Sequence, residues 1–335
     1  MQQEGKPRFL KYHQQSVRGV AFSPMDRYLF CSGGYDGKIN LYSALRLELL
    51  MCYQITTVTL ARHVNAVRFT SDGLRILAAT TARRLAVVDV ERGQQLLAYD
   101  NCAFSGRDRT GLATDPLCPN MAVSVAVNGK GLTLLDLRMP LPLDFVYDLH
   151  TGIIRDVTFL HNSWPWSNGQ STLLTAGSDG TVKASTIDGR VVHSFNSGHQ
   201  VNTICPTPEA YNIAAENGFY SVIMAGGEMI SAYVPDVGVH EHLKEQKEMP
   251  IWKLRYTSNG STLYSGCEDG VLRRYRRYPN HHEYLGTVFS HKGDIQDLDI
   301  SPYDEYLVTA SKDRSVGILR LGAPNHGFTE YSELT

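Results

Sequence analysis

The 335-residue sequence predicts an all-β chain built from repeated four-stranded units that close into a ring. Three observations carry that expectation. Short segments rich in β-branched and aromatic residues recur in groups of four, separated by turn residues, at a period of roughly 40 to 50 residues. Seven such groups can be counted, at about the length of a propeller blade, whose single sheet cannot bury both faces without stacking on neighbours. The last group stops after three strands, whereas the chain opens with a lone strand-like segment, Arg8 to Tyr12. That segment is expected to complete blade 7 and so remove an open sheet edge.

The elements follow in order. The first copy reads VRGVAFS (17–23), YLFCSGG (28–34), KINLYSA (38–44) and ELLMCYQI (48–55), with Asp36-Gly37 as the tight turn of a hairpin. A second reads VNAVRFT, RILAATT, LAVVDV and QLLAYD over 64–100, and a third GLATDPL, MAVSVAV, LTLLDLR and FVYDL over 111–149. Further copies begin at IRDVTFL (154–160), VNTICPT (201–207), IWKLRYT (251–257) and IQDLDIS (295–301). In the fifth copy the second strand, turn and third strand are read from 210–224, with Asn217-Gly218 as the turn. The expected blades are 13–55, 63–100, 109–149, 150–195, 199–236, 249–289 and 291–321, plus the strand 8–12, in one domain spanning 1–335 with a short tail at 322–335.

Composition sets limits on function. Lys plus Arg number 32 and Asp plus Glu 34, a formal charge of −2, so no global field recruits nucleic acid or an anionic membrane. The N-terminus lacks the basic-then-apolar run of a signal peptide, and no apolar stretch approaches the roughly 20 residues that span a bilayer. Six dispersed cysteines without a C-x-x-C pair argue against a disulfide framework and a zinc site, and imply buried, reduced thiols in an intracellular protein, cytoplasmic or nuclear. No metal or other cofactor and no obligate small-molecule ligand is expected.

Certain residues carry a family resemblance. The stretches HQQSVRGVAFSPMDRYLFCSGGYDGKINLY (13–42) and HKGDIQDLDISPYDEYLVTASKDRSVGIL (291–319) are similar to WD repeats, and the resemblance extends over essentially the whole chain. In that family a His on the loop entering the blade, a Ser or Thr on the second strand, the Asp of the turn and a Trp on the third strand form a buried hydrogen-bonded set. The resemblance assigns these places to His13, Ser32, Asp36 and Tyr42, to His150, Thr175 and Asp179, and to His291, Thr309 and Asp313. Such His–Asp–Ser sets mimic a catalytic triad, but a nucleophile would occur once and this set recurs, so a structural role is expected. The repeats also diverge: none of the three Trp (164, 166, 252) holds the third-strand position, Arg83-Arg84 replaces the turn Asp of blade 2, and Asn128-Gly129 replaces that of blade 3.

The function expected from the resemblance is a non-catalytic scaffold that holds partner peptides or domains on its faces within a larger complex. Neither a G-x-S-x-G elbow nor a P-loop occurs, and no carboxylates cluster at the entering loops, which disfavours the rival of a propeller hydrolase. Candidate partner-binding residues on the face formed by entering loops and Asp turns are Arg18, Tyr35, Arg62, Arg107, Arg109, Arg155, Asn202, Trp252, Glu268, Asp294 and Lys312, because arginine and aromatic anchors dominate interfaces. Trp164 and Trp166, in a Pro/Gly-rich loop, form either a second partner site or a lid folded back on their own blade. The basic run 273–278 alternates on a strand, Arg274 and Arg276 to one side, Arg273, Tyr275 and Arg277 to the other, which argues against a nucleic-acid stripe. Residues 240–249 are expected to form a short charged helix. Leu135-Asp136-Leu137-Arg138 is similar to the box through which some WD-repeat proteins bind the adaptor of a cullin-RING ubiquitin ligase, with Asp136 and Arg138 as its contacts and a substrate receptor as the alternative function.

Overall fold

A computed structural model describes residues 5–55, 63–106, 111–160, 164, 166, 171–208, 221–235, 237–243 and 249–322. Its first strand, β1 (Arg8–Leu10), stands apart from the sheet that follows it in sequence. Blade 1 consists of β2 (Val17–Phe22), β3 (Leu29–Gly34), β4 (Lys38–Ser43) and β5 (Glu48–Gln54). Blade 2 holds β6 (Val64–Phe69), β7 (Arg75–Thr80), β8 (Leu85–Asp89) and β9 (Gln95–Tyr99). In blade 3, β10 (Leu112–Thr114), β11 (Met121–Val125), β12 (Leu132–Asp136) and β13 (Asp144–Val146) include two strands of only three residues. Blade 4 has β14 (Ile154–Leu160), β15 (Thr172–Gly177), β16 (Thr181–Thr186) and β17 (Val191–Asn196). Blade 5 has β18 (Val201–Pro206), β19 (Ile223–Gly227), β20 (Ile230–Val234) and β21 (Gly238–Leu243). Blade 6 has β22 (Ile251–Tyr256), β23 (Thr262–Cys267), β24 (Val271–Arg277) and β25 (His282–Ser290), and blade 7 has β26 (Ile295–Ile300), β27 (Tyr306–Ser311) and β28 (Val316–Arg320).

Every sheet is a four-stranded antiparallel meander, and among the described residues there is no helix. The second and third strands of each blade are almost continuously buried, because each sheet is covered on both faces. What covers it is the neighbouring blade. Seven apolar clusters lie one at each blade-to-blade interface: Ile39 and Leu41 of blade 1 pack with Val64 and Ile76 of blade 2, and Val17 and Tyr42 of blade 1 pack with Val308 and Ile318 of blade 7. No blade therefore has a core of its own. The ring is closed by β1, which pairs antiparallel with β28 in the register Arg8 to Ile318, as the missing fourth strand required. Phe9 of β1 stands edge-on to Phe289 and His291, with ring centroids 5.8 and 5.0 Å away.

In six blades the hairpin joining second and third strands places one residue in the left-handed region. Glycine supplies it at Gly37, Gly129, Gly180 and Gly270, with φ between 74° and 79°, and arginine takes the strain at Arg83 (φ 61°) and Arg314 (φ 75°). Asn128 keeps the geometry of an Asp turn, its carbonyl oxygen accepting the amides of Lys130 and Gly131 at 2.9 and 3.1 Å.

Two expectations are corrected. The hairpin of blade 5 lies at 227–229, where Gly227 donates to Met229 O, and not at Asn217-Gly218, which lie outside the described residues. The AENGFYSVIM segment imitates strand–turn–strand, but the buried run IMAGG forms the second strand instead. Likewise 240–243 extend as part of β21 and are not helical, because pairing with β20 satisfies their backbone; 244–248 lie outside the described residues.

Candidate functional site: the channel mouth

The innermost strands β2, β6, β10, β14, β18, β22 and β26 contact one another in a closed cycle and so line the channel. In six of them the register with the second strand slips at the same place, between residues 17 and 19, 64 and 66, 154 and 156, 201 and 203, 251 and 253, and 295 and 297. A bulge of this kind frees one residue from the pleat and re-aims its side chain. The residues so released are Arg18, Asn65, Arg155, Asn202, Trp252 and Gln296, none of them aliphatic.

The side chains of Arg18, Asn65 and Asn202 reach beyond their own blades. Arg18 donates to Gln296 Oε1 and to Tyr35 Oη (2.8 Å), and its guanidinium stacks 4.3 Å from the Tyr35 ring. Asn202 Nδ2 donates to Ile251 O at 3.2 Å, and Asn65 Nδ2 to Gly106 O at 3.4 Å. Tyr35 packs in turn on His63, ring centroids 4.6 Å apart. The result is a rim of polar groups held in place before any ligand arrives. Arg155 and Trp252 are half-buried in the same rim, Lys312 pairs with Asp294 beside it, and Glu268 is exposed on the adjoining turn. Arg62, Arg107 and Arg109 lie outside the described residues. Sequence reasoning missed Asn65 and Gln296; the repeated apolar–x–x–apolar pattern, VNAV beside VNTI and IQDL, was the signal available.

Directly under this rim sit the hydrogen-bonded sets. His13 Nδ1 lies 2.9 Å from Asp36 and its Nε2 2.7 Å from Ser32 Oγ; His150 is 3.2 Å from Asp179 and 2.8 Å from Thr175 Oγ1; His291 is 3.1 Å from Asp313 and 2.7 Å from Thr309 Oγ1. In each set the carboxylate also accepts the amide of the residue after the His, at 2.9 to 3.0 Å, from Gln14, Thr151 and Lys292. One Asp therefore ties the entering loop to the hairpin. Close approach is possible because Gly34 and Gly177 stand against the rings: a Cβ there would lie 2.6 to 2.7 Å from the His Nδ1. Burial pushes the His150 and His291 imidazoles below their ordinary value despite the neighbouring carboxylate, so both are neutral near pH 7. Burial alone would raise the three carboxyls, but hydrogen bonds from His13, Thr181 and Ser315 and from backbone amides outweigh it and hold them below the usual carboxylate value. In blade 1 the Ser32 and Asn40 side chains donate to Tyr42 Oη at 3.1 Å, and burial pushes that phenol up to about 12.

The model of the family described as "WD domain, G-beta repeat" matches residues 6–43, 239–275 and 282–318. Each match begins with the outer strand of one blade and ends on the third strand of the next, the stagger that β1 closes. The ring has seven four-stranded blades. The chain belongs to the WD-repeat family. A 74-residue stretch, 22% of the chain, is 31% identical to "Eukaryotic translation initiation factor 3 subunit I" of Vanderwaltozyma polyspora, and the same holds for the protein of that name from Eremothecium gossypii. The match spans 21% of the length of these relatives.

Inside this WD-repeat propeller, deeper in the channel, lie ion pairs that the sequence did not disclose. Asp156 Oδ2 of blade 4 accepts from Lys253 Nζ of blade 6 at 2.9 Å, and from Thr203 Oγ1 (2.9 Å) and the Ile204 amide (3.2 Å) of blade 5 between them. Both charged side chains are 3% exposed. Arg68 of blade 2 pairs with Asp297 of blade 7 at 3.0 Å, and Arg255 with Asp299 at 3.2 Å. The first two pairs bolt non-adjacent blades together, 4 to 6 and 2 to 7, and the third joins the neighbouring blades 6 and 7.

Trp164 is no surface anchor. It is 2% exposed within the cluster shared by blades 4 and 5, and Trp166 stacks on His193 at 4.2 Å, so the pair folds back on its own blade. His193 Nε2 continues the stack with a 2.6 Å bond to Tyr233 Oη, and Tyr233 lies flat on Phe195 at 3.6 Å. The driving force is burial of two indoles that water would otherwise face. Arg138 closes its fork on Asp136, Nε and Nη2 donating at 2.9 and 2.6 Å, and that contact first of all lowers the carboxyl to about 2. In the basic run, Arg273 is buried on Asp269 (2.6 Å) and Arg277 is buried beneath Tyr256, whereas Arg276 is exposed.

Proposed function

We infer that this WD-repeat propeller is a non-catalytic interaction scaffold, a fixed subunit of a multi-protein assembly, and that the rim of bulge residues at the channel mouth holds a segment of a partner protein. The observation that carries this reading is the ring Arg18, Asn65, Arg155, Asn202, Trp252 and Gln296: hydrogen-bonding and aromatic groups presented by six separate blades on rigid strands. Rigid placement limits the entropy lost on binding, and a groove rich in amide and guanidinium donors suits an extended peptide with carbonyl and carboxylate acceptors. The His–Asp sets beneath the rim hold loops and recur, which suits support and not turnover. Partial likeness to a translation initiation factor subunit supports membership in an assembly of that class, which would make the protein cytoplasmic.

The test is recovery of stoichiometric partners on the full-length chain, wild type against Arg155→Glu and Trp252→Ala. Loss of a partner from both variants, with thermal stability unchanged, is the expected result. An identical set of partners on all three proteins would remove the channel mouth from consideration.

A further inference from the structure

The seven blades do not end alike at the outside of the ring. Each sheet stops there at an outermost strand, β1, β5, β9, β13, β17, β21 or β25, whose far side pairs with no other strand among the described residues. Open edges of this kind invite further strands unless something blunts them. In five of the seven a slip in register against the neighbouring strand does so, in β5, β9, β17, β21 and β25. The pairings of β13 and β1 run without a slip. Pro140 and Pro142 shortly precede β13 and Asp144 opens it, so the two regular edges are a short acidic strand behind prolines and β1.

Charge separates these two. Of the seven outer strands β1 alone contains a lysine or arginine, Arg8, and it is flanked by Lys6 and Lys11. All three are exposed, and among the described residues none of them pairs with a carboxylate; the same holds for Arg320, exposed at the end of β28, whose carbonyl accepts the Gly5 amide at 3.0 Å. The carboxylates of the other outer strands are taken: Glu48 by Arg46 (3.3 Å), Glu241 by His282 (2.8 Å), Glu283 by the Tyr278 hydroxyl (3.1 Å) and Asp144 by the Phe145 amide (2.7 Å). The edge of blade 7 therefore holds a positive charge that the described residues do not cancel. Apolar groups complete the surface. Side chains alternate along the strand, so Phe9 points away from the Arg8 side, and it stays 39% exposed although its ring meets Phe289 and His291. Tyr12 beyond the strand is 44% exposed, and a groove of about 560 Å³ is lined by residues 7–11 and by Leu47 of blade 1. A second copy of β1 laid on this edge would set arginine and lysines against their like, and lysine on an edge keeps such pairs apart. An extended segment rich in carboxylates would instead meet the cations and satisfy the open backbone groups, the mode in which main-chain bonds give affinity and side chains give selectivity.

We propose that β1 is a docking edge for an extended acidic segment of a partner protein, added as a fifth strand of blade 7 with carboxylates opposite Lys6, Arg8 and Lys11. The new strand runs antiparallel to β1, like every other pair in the ring, and its main-chain pairing starts at Arg8 because Pro7 has no N–H to offer. The proposal rests on the scaffold reading but uses a different surface of the ring. It is tested by titrating onto the full chain a fluorescent peptide with the core Glu-Val-Val-Glu-Thr-Glu, whose glutamates fall opposite Lys11, Arg8 and Lys6. Two companions are a version with lysines for the glutamates and one with alternate backbone amides methylated. The glutamate peptide binds, weakening by about three- to tenfold at high salt and by at least about tenfold in Arg8→Glu/Lys11→Glu, while the lysine and methylated peptides do not bind. Absence of binding, equal binding of the lysine peptide, or indifference to both salt and the substitutions overturns the proposal. Binding of the methylated peptide as tight as that of its parent overturns it too, since charge would then suffice without a strand. So does sedimentation showing a dimer of the chain that Arg8→Glu dissolves, which would make a second copy the occupant. Both substituted side chains are exposed, the salt response is read on the unaltered chain, and Arg155→Glu, which tests the channel mouth, leaves peptide binding unchanged, so the two readings fail separately.

Discussion

Blade 4 and blade 5 are neighbours of the same architecture held together by different chemistry. In blade 4 a neutral His150, Thr175 and a carboxylate that meets five donors besides His150 lock the entering loop to the hairpin. Among the described residues, the corresponding His199 of blade 5 meets Ser231 Oγ (2.8 Å), itself 3.0 Å from His242, and the carbonyl of Gln200. Yet β18 is fastened from outside its own sheet, by Asp156 and Lys253 of the flanking blades. The contrast teaches that a blade's geometry comes from strand pairing and shared apolar interfaces, while the polar pins can be local or borrowed.

That comparison is most severely tested by removing the borrowed pin. Asp156→Ala removes the carboxylate 2.9 Å from the buried Lys253 ammonium and is expected to cost about 3–5 kcal/mol, read by denaturant unfolding, whereas Asp156→Leu/Lys253→Met recovers most of the loss. Hydrogen exchange should locate the Asp156→Ala loosening in β18 to β21; uniform loosening of all blades would contradict the role given to the pair. Next in size, His150→Ala takes one partner each from the buried Asp179 and Thr175 and is expected to cost about 2–3 kcal/mol, against about 1 kcal/mol for His199→Ala, since among the described residues no carboxylate bonds His199. Equal costs would erase the distinction between the two blades.

Acid acts on the same contrast. His150, His199 and His291 are depressed, burial being the leading cause, so each takes up a proton on unfolding. Their contribution is complete above the unfolded value of about 6.5 and is lost as pH falls from there toward the folded values. Asp36, Asp179 and Asp313 are also depressed, so their contribution is present above about 4 and is lost below it. Melting temperature should therefore fall in two stages, and His150→Ala should flatten the first. The smallest effect is local: Arg314→Gly relieves a left-handed arginine in the blade 7 hairpin and should raise stability by about 0.5–1 kcal/mol.

Short segments rich in β-branched and aromatic residues repeat between turn residues, so the seven blades and the closing strand could be read from the sequence. Blade 5 misled because Asn217-Gly218 between apolar runs is a good local hairpin signal, and only tertiary pairing decides between it and IMAGG. The channel ion pairs were invisible because Asp156, Lys253, Arg68 and Asp297 are separated by up to most of the chain and meet only once the ring has closed. The bulge positions looked like ordinary polar residues within strands; the slip in register is what turns them into a rim. Trp164 and Trp166 left two possibilities open because a loop's direction of folding depends on a neighbour, here His193 and blade 5, that sequence adjacency does not reveal.

The pairing of Arg8 with Ile318 also sets a clock. A ribosome adding about 5–20 residues per second needs some tens of seconds between making the two strands. For that interval β1 has no partner, and the blades assembled so far end in an unsealed flank on which the next apolar face must be found quickly. The last three-residue strand to dock is thus the first to be synthesised, and the nascent protein is at its most vulnerable to misassembly just before its final blade emerges.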